Sequence, residues 1–565
     1  MRPSTVRILL ALAPSLLLAP AASAQAKLLE ITPPQPNVAF GAALAALGDV
    51  NGDGVPDLAV GSPNDRGSGN ELEAGSVRIY DGRTGSPWIT VHALTPGAHL
   101  GTAVAAAGDV DGDGRSDVLA GAPDDVVAGR PLGRARVFST ATAAPLRTFV
   151  GATPGSQFGF AVAGGGDVDG DAVPDFVVGA YLDDRNGVDS GSVYVYSGAT
   201  GSELHRFDGT GPLARFGRSV AIVGDANGDG FDDVAAGAPT AAPASGANYA
   251  RLYSGADGAV LHTWTEESVG FSLAATGDLD ADGFADVASG EGLWSGPIHY
   301  QGRVRVLSGA TGATLLEVRG DMTRRNLGIS ISGVGDANGD GVPDLVVGSE
   351  HGESMFDGSG WAYVLSGAGG TTLALIESGE ENDYFARAVT GVGDLNGDGL
   401  ADFAVSAPAF DPAYAAGARV ETFLSGCPEP TRYCFAAANS TGIGAQLVHE
   451  GGPSIVVDNM ELVVRQAPPG MLGTFFYGPG AAQTPFGDGF LCVGGGIVRL
   501  GTVQTIPASG TLARAIDFDH APASTGPGQI LPGSTWNFQF WYRDPAGPLG
   551  NGFNLSDALS ATFCP

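Results

Sequence analysis

The stretch GDVNGDGVPDLAVGSP, Gly48–Pro63, decides the reading of this chain. Glycines and carboxylates crowd its first ten residues, and the remainder turns apolar at once. Counted from the first aspartate, the pattern is D-x-[DN]-x-D-G-x-x-D. It begins at Asp49 and returns at Asp109, Asp167, Asp225, Asp278, Asp336 and Asp394, at intervals of 60, 58, 58, 53, 58 and 58 residues. A near-constant period of this length marks a repeat architecture in which each copy is one supersecondary unit.

Every copy runs in the same order. A small-residue run such as FGAALAALGD (Phe40–Asp49) reads as a tightly packed strand, and the acidic loop follows it. DLAVGSP (Asp57–Pro63) is a short buried strand. A variable loop leads to GSVRIYDGRTG (Gly75–Gly85), which alternates like a half-buried strand and ends in a tight turn; the turn returns as SGATG at 197–201 and 308–312. PWITVHAL (Pro87–Leu94) supplies a fourth strand. Four strands joined by tight turns make one antiparallel sheet. Seven such sheets set radially make an all-β, seven-bladed β-propeller, which limits exposed strand edges; an open solenoid is the rival arrangement. The ends of the chain favour closure. The seventh copy lacks a fourth strand, and AKLLEIT (Ala26–Thr32) precedes the first copy without a partner of its own, so it is expected to pair with 417–424 and close the ring.

These residues resemble the FG-GAP repeats of the integrin α-subunit head and its bacterial relatives. Phe-Gly pairs stand at Phe40-Gly41, Phe158-Gly159 and Phe216-Gly217; GAP stands at 121–123 and 237–239, GSP at 61–63 and SAP at 406–408. The later repeats depart from this pattern, with SGE at 289–291 and GSE at 348–350. The resemblance implies that the face away from the acidic loops binds ligand. It nominates the loops holding Tyr181, Asp183, Asp184 and Arg185, then Trp294, His299 and Tyr300, then His351, Met355 and Phe356. Simple solvated connectors are the alternative reading of these loops.

The acidic loop itself reads as a calcium site. Oxygens at positions 1, 3 and 5 converge when the loop curls, a backbone carbonyl at 7 joins them, and Asp at 9 closes the shell; such an oxygen-only cage suits a hard cation. An EF-hand would end in Glu at position 12, where the first loop has Val60 within a strand. Asp, Asn and Gly also make good turns without metal, but a turn alone does not call for Asp at position 9 in all seven copies. The expected ligands are Asp49, Asn51, Asp53 and Asp57; Asp109, Asp111, Asp113 and Asp117; Asp167, Asp169, Asp171 and Asp175; Asp225, Asn227, Asp229 and Asp233; Asp278, Asp280, Asp282 and Asp286; Asp336, Asn338, Asp340 and Asp344; and Asp394, Asn396, Asp398 and Asp402. About five to seven Ca²⁺ per chain follow. The third loop has Ala172 where the others have Gly, so it is expected to be the weakest site or to adopt another geometry.

The ends of the chain and its composition set the context. Arg2 and Arg7, the apolar run Ile8–Leu18 and the small residues Ala22–Ala24 read as a secretory signal peptide over 1–24. Residues 25–426 hold the propeller. The four cysteines, Cys427, Cys434, Cys492 and Cys564, all fall in 427–565 and read as two disulfides with three possible connectivities, stapling a small β-sandwich. In it, Trp536, Phe538, Phe540 and Tyr542 share one side of a strand, as a core face or a sugar-binding platform. Asp517–His520 (DFDH) lacks the further ligands of a metal site. The formal charge of −33 argues against nucleic acid and anionic membranes as partners, and no transmembrane segment is expected. RGD at 319–321 reads as coincidence in a chain this rich in its three residues. No base–nucleophile set assembles, so the chain reads as a secreted or cell-surface binding or adhesion module for a protein or glycan, and not as an enzyme. The alternatives are part of an extracellular polysaccharide- or lipid-cleaving enzyme, or a structural surface-layer component.

Overall fold

A computed structural model describes residues 25–33, 39–67, 69, 71–239, 248–321, 326–349, 359–378, 380, 382–409, 417–428, 430–450, 452–455, 460–518, 520–531 and 534–563. The expected leader over 1–24, Cys564 and the 351–356 loop residues lie outside them, as do the side chain of Cys427 and the residues Asp519 and Pro34. No helix among the described residues is long and apolar enough to cross a membrane.

Seven four-stranded antiparallel sheets form the blades. Blade 1 is a simple meander of Ala43–Gly48, Asp57–Ser62, Ser76–Tyr80 and Pro87–His92. The second strand of each blade is buried along its whole length, as Asp57–Ser62, Asp117–Ala122 and Asp402–Ala407 show. It lies between neighbouring strands and also between neighbouring blades, which is why it reads as a continuous apolar run and not as an alternating one. Blade 7 takes its outer strand from the other end of the chain. Gln25–Ile31 pairs antiparallel with Arg419–Pro428, with Ala26 opposite Leu424 and Ile31 opposite Val420. The inner strand of blade 1 lies beside those of both blade 2 and blade 7, so the ring closes and the solenoid is excluded.

The Phe-Gly and Gly-Ala-Pro ends of each repeat are where blades meet. Phe40, Phe158, Phe216 and Phe385 are fully buried. Gly41 N–H donates to the Gly61 carbonyl at 3.0 Å, and the same bond recurs from Gly101 to Gly121, Gly159 to Gly179, Gly217 to Gly237 and Gly328 to Gly348. A Cβ on Gly61 would stand 2.2 Å from the Gly101 carbonyl oxygen of the next blade, so the close approach of the two backbones requires glycine there. The seventh blade keeps the bond between Ala386 and Ser406 at 2.8 Å, at a positive φ of 61°. The departure of its motif from the consensus therefore changes side chains and leaves the backbone arrangement in place.

After the propeller comes a small β-sandwich. One sheet has five strands in the order Thr431–Tyr433, Gly552–Thr562, Thr535–Asp544, Leu472–Gly478 and Val498–Thr505; the other has three, Gln446–Glu450, Glu461–Arg465 and Leu512–Ala515. Trp536, Phe538, Phe540 and Tyr542 are buried between them with Phe475, Tyr477, Leu462 and Val464, which settles the core reading against the sugar platform. A hairpin of Gly480–Phe486 and Gly489–Gly494 is tied to the module by the disulfide Cys434–Cys492. His520 Nδ1 lies 3.0 Å from Asp517, and among the described residues they join no cluster of three or more metal-ligating groups.

Candidate metal centres

Each acidic loop joins the inner strand of a blade to the buried second strand. The inner strand bulges just before the loop, so that Gly48 pairs with Asp57 after a one-residue slip; the same slip brings Gly108 to Asp117, Gly166 to Asp175 and Gly335 to Asp344. A bulge bends its strand and re-aims the residues that follow. Here it turns the chain into a tight curl around the first aspartate. Asp49 Oδ1 accepts the N–H groups of Gly52 (2.6 Å) and Asp53 (3.1 Å), and Oδ2 accepts that of Gly54 (2.8 Å). Gly52 and Gly54, at positions 4 and 6, hold positive φ of 85° and 87°, which this curl requires.

Position 9 has a second task. Asp57 is buried; its Oδ2 accepts from Val50 N–H (3.0 Å) and Asn51 N–H (3.1 Å), and its Oδ1 from Gly82 N–H (3.0 Å) in the turn between the third and fourth strands. The equivalent long-range bond runs from Thr140 to Asp117, Gly198 to Asp175, Gly255 to Asp233, Gly309 to Asp286, Gly367 to Asp344 and Ser425 to Asp402. This carboxylate therefore ties the acidic loop to a turn some 25 residues further along. Burial pushes the acids of Asp57, Asp117, Asp175, Asp233 and Asp344 up to about 6, against the pull of those backbone donors. Burial raises Asp286 and Asp402 as well. At position 1 the balance reverses. Desolvation acts to raise Asp49 and Asp336, but their backbone bonds outweigh it and hold both below the ordinary carboxylate value.

Three loops gather carboxylate oxygens within 4.8 Å of one another: Asp109, Asp111 and Asp117; Asp167, Asp169 and Asp175; and Asp278, Asp280 and Asp282. These are the three loops with aspartate at position 3. The other four carry asparagine there. Asn51 and Asn338 donate their amide N–H to Asp57 and Asp344, while Asn227 and Asn396 donate to Asp229 and Asp398. In the first loop Arg83 also reaches Asp53 at 3.3 Å. None of the nine clustered carboxylates has an ion-pair partner among the described residues. Carboxylate and amide oxygens in a water-facing curl fit a hard, oxygen-seeking cation.

Ala172 does not force another geometry. It takes a φ of 66°, and its N–H donates to Asp167 Oδ2 at 2.9 Å as the glycine does elsewhere. The fifth loop differs more, at a position the pattern did not single out. Ala281 stands at position 4, where the other six loops have glycine, and holds a φ of 58°. Asp278 there bonds to Asp282 and Gly283 N–H, and its cluster uses positions 1, 3 and 5 in place of 1, 3 and 9. The signal was present in the sequence, since one alanine stands in a column of glycines.

The opposite face corrects part of the sequence reading. Asp183 is buried and is no free ligand group: it accepts the Tyr194 hydroxyl at 2.6 Å and pairs with Arg185 at 3.4 Å. Trp294 packs under Arg303, 4.5 Å from its ring centre, beside the buried Arg303–Glu291 pair. These groups brace the loops. His299 and Tyr300 lie near the surface with their rings tilted against one another, centres 4.1 Å apart. Arg319 of the RGD triplet pairs with Glu317 and lies 5.3 Å from the Trp294 ring centre.

A ring of four-stranded blades with acidic loops on one face and Phe-Gly contacts between blades defines an FG-GAP-type β-propeller. The FG-GAP repeat family matches residues 40–80, 100–138, 216–260 and 385–419. The chain is 36% identical over 180 residues to integrin alpha-PS2 of Drosophila melanogaster, covering 28% of this chain and 13% of that one. It is 31% identical over 237 residues to integrin alpha-4 of Xenopus laevis, covering 38% and 22%. It is 46% identical over 94 residues to phosphatidylinositol-glycan-specific phospholipase D of Rattus norvegicus, covering 16% and 11%. The chain thus carries an integrin α-like FG-GAP β-propeller, and it spans about a fifth or less of the length of these relatives.

Proposed function

We propose that the acidic loops hold calcium, about five to seven ions per chain, through the aspartates and asparagines at positions 1, 3, 5 and 9, with the Ala172 loop binding most weakly. The supporting observation is the set of three carboxylate clusters, each within 4.8 Å and without an ion-pair partner among the described residues. At that separation two carboxylates repel by about 3 kcal/mol at an effective dielectric of about 20, and a divalent cation turns this repulsion into attraction. The propeller has no cysteine, so bound calcium takes the stabilising place of disulfides. Extracellular calcium modules bind with Kd of about 10⁻⁴–10⁻³ M. Metal analysis after equilibration in millimolar calcium should return five to seven ions per chain; a value near zero refutes the reading.

On this scaffold the chain acts as an exported binding or adhesion module, divided into a leader (1–24), the propeller (25–426) and the sandwich (427–565). The face away from the acidic loops takes a protein or glycan. The integrin α relatives support this reading, and the tail disulfide fits an oxidising compartment. The match to a phospholipase keeps a second reading, an accessory propeller of a lipid-cleaving enzyme. Glycan-array and pull-down screens set beside a lipid-hydrolysis assay of the secreted protein separate the two.

A further inference from the structure

The C-terminal sandwich carries a groove that none of the roles above uses. It lies on the outer face of the five-stranded sheet, away from the aromatic core, with a volume of about 440 Å³. Its floor is Phe476, Leu555 and Trp541, the first two buried, and its far wall is the hairpin that carries Phe486 and Leu491. Gln539 fixes that wall, donating to the Phe490 carbonyl at 2.8 Å and accepting Cys492 N–H at 2.9 Å, and the Cys434–Cys492 disulfide secures it further. Leu472, Phe486, Ile497 and Val503 stand 41–50% exposed around the rim. A concave apolar floor with apolar side chains around its rim has the form of a small-molecule site.

Charge decides what fits. Among the described residues, the ionisable ones lining the groove are Arg499 and Arg543. Arg499 lies opposite Phe476 on one side of the strand Leu472–Gly478. Arg543 lies on the other side, on the strand that pairs Tyr542 with Gly473. Strand spacings then put the two arginines at diagonal corners, roughly 16 Å apart. Neither forms an ion pair or hydrogen bond among the described residues. The surrounding module is itself net acidic, with nine carboxylates and five arginines in 427–565, so the preference for an anion comes from the two arginines in the groove.

We propose that this groove binds a single amphiphilic anion, an elongated apolar chain ending in a carboxylate, with the chain on Phe476, Trp541 and Leu555 and the head on a corner arginine. The volume lies in the range of small-molecule sites and accommodates an alkyl chain of about ten to twelve carbons. Among the described lining residues a glycan would find only the Thr474 hydroxyl and the Trp541 indole N–H as uncharged hydrogen-bonding groups. A membrane surface needs protruding apolar groups, whereas the floor here is recessed, and the acidic propeller would be repelled by anionic lipid.

The test is calorimetric titration of the full-length protein, in calcium, with submillimolar decanoate, alongside decyltrimethylammonium as the same chain with the opposite head. Decanoate should bind one to one and the cation at least tenfold more weakly. R499Q and R543Q, both at exposed positions, should leave the melting temperature unchanged, and the double variant should lose roughly tenfold in decanoate affinity, the factor that about 1.4 kcal/mol represents. W541A should weaken both probes. Equal binding of cation and anion, undiminished binding in the double variant, or no binding of decanoate overturns the proposal. Binding seen only with anionic vesicles also overturns it, in favour of a membrane-facing surface.

Discussion

Removing the closing contacts of blade 7 should unfold a propeller whose acidic loops are all intact. Leu28 and Ile31 are each only 3% exposed and pack with Phe40, Val420 and Leu424, residues that sit in blade 1 and blade 7. Truncating either to alanine deletes buried methyl groups at a seam that the rest of the ring cannot collapse onto. The expected loss is about 2–5 kcal/mol for each, or about 0.7–1.7 M in urea midpoint at a slope near 3 kcal/mol/M. Glu30 on the same strand is the control. It is exposed and pairs with Lys27 at 2.7 Å, and exposed pairs contribute about 0–1 kcal/mol, so Glu30→Ala should shift the midpoint little. Leu29→Pro is a weaker probe, because Leu29 N–H donates to the Thr422 hydroxyl at a bulge and not to a ladder carbonyl. Starting the chain at Pro34 removes the strand altogether and exposes the edge of Arg419–Pro428, which should promote aggregation. Urea unfolding followed by circular dichroism, with size-exclusion chromatography, all in calcium, reads these outcomes. If Leu28→Ala and Ile31→Ala unfold with the parent and the truncated chain stays monomeric, the N-terminal strand does not hold the ring closed.

Burial raises the folded-state acids of Asp57, Asp117, Asp175, Asp233 and Asp344 to about 6, above an unfolded value near 3.9. Between these values the folded chain binds more protons, so in chelator this contribution to stability is full below about pH 4 and lost as the pH rises through 6. The metal-free protein should melt higher at pH 5 than at pH 7, and the gain in melting temperature from added calcium should shrink at pH 5; a metal-free melt that rises with pH contradicts the assignment. Asp175→Ala should cost about 3 kcal/mol or more even in chelator, because it orphans the N–H groups of Val168, Asp169 and Gly198, whereas Asp169→Ala should act mainly on calcium content; equal melting of the two in chelator would refute the tethering role. Ala172→Gly should stabilise by about 1 kcal/mol by relieving a left-handed alanine, read as a raised melting temperature. Replacing Cys434 and Cys492 by serine opens a link across 58 residues and should cost the sandwich about 2–5 kcal/mol while leaving the calcium-dependent transition of the propeller in place.

By itself, the sequence determined the features whose causes lie within a few residues of one another. The period from Asp49 to Asp394, the buried run Asp57–Ser62, the turns at 197–201 and 308–312 and the apolar side of Trp536–Tyr542 are local patterns, and local sterics and alternation read them out directly. The closing strand was legible too, because one end lacked a strand and the other had one to spare. Tertiary structure decided everything that depends on partners distant in sequence. The pairing of Cys434 with Cys492, the five-strand order of the sandwich sheet and the burial of Asp183 against Tyr194 are examples. So is the bond from Gly82 to Asp57, which makes a metal-pattern aspartate into a structural tether. Such contacts form only when the assembled fold makes up for the entropy of bringing distant segments together, and no short window of sequence carries that free energy.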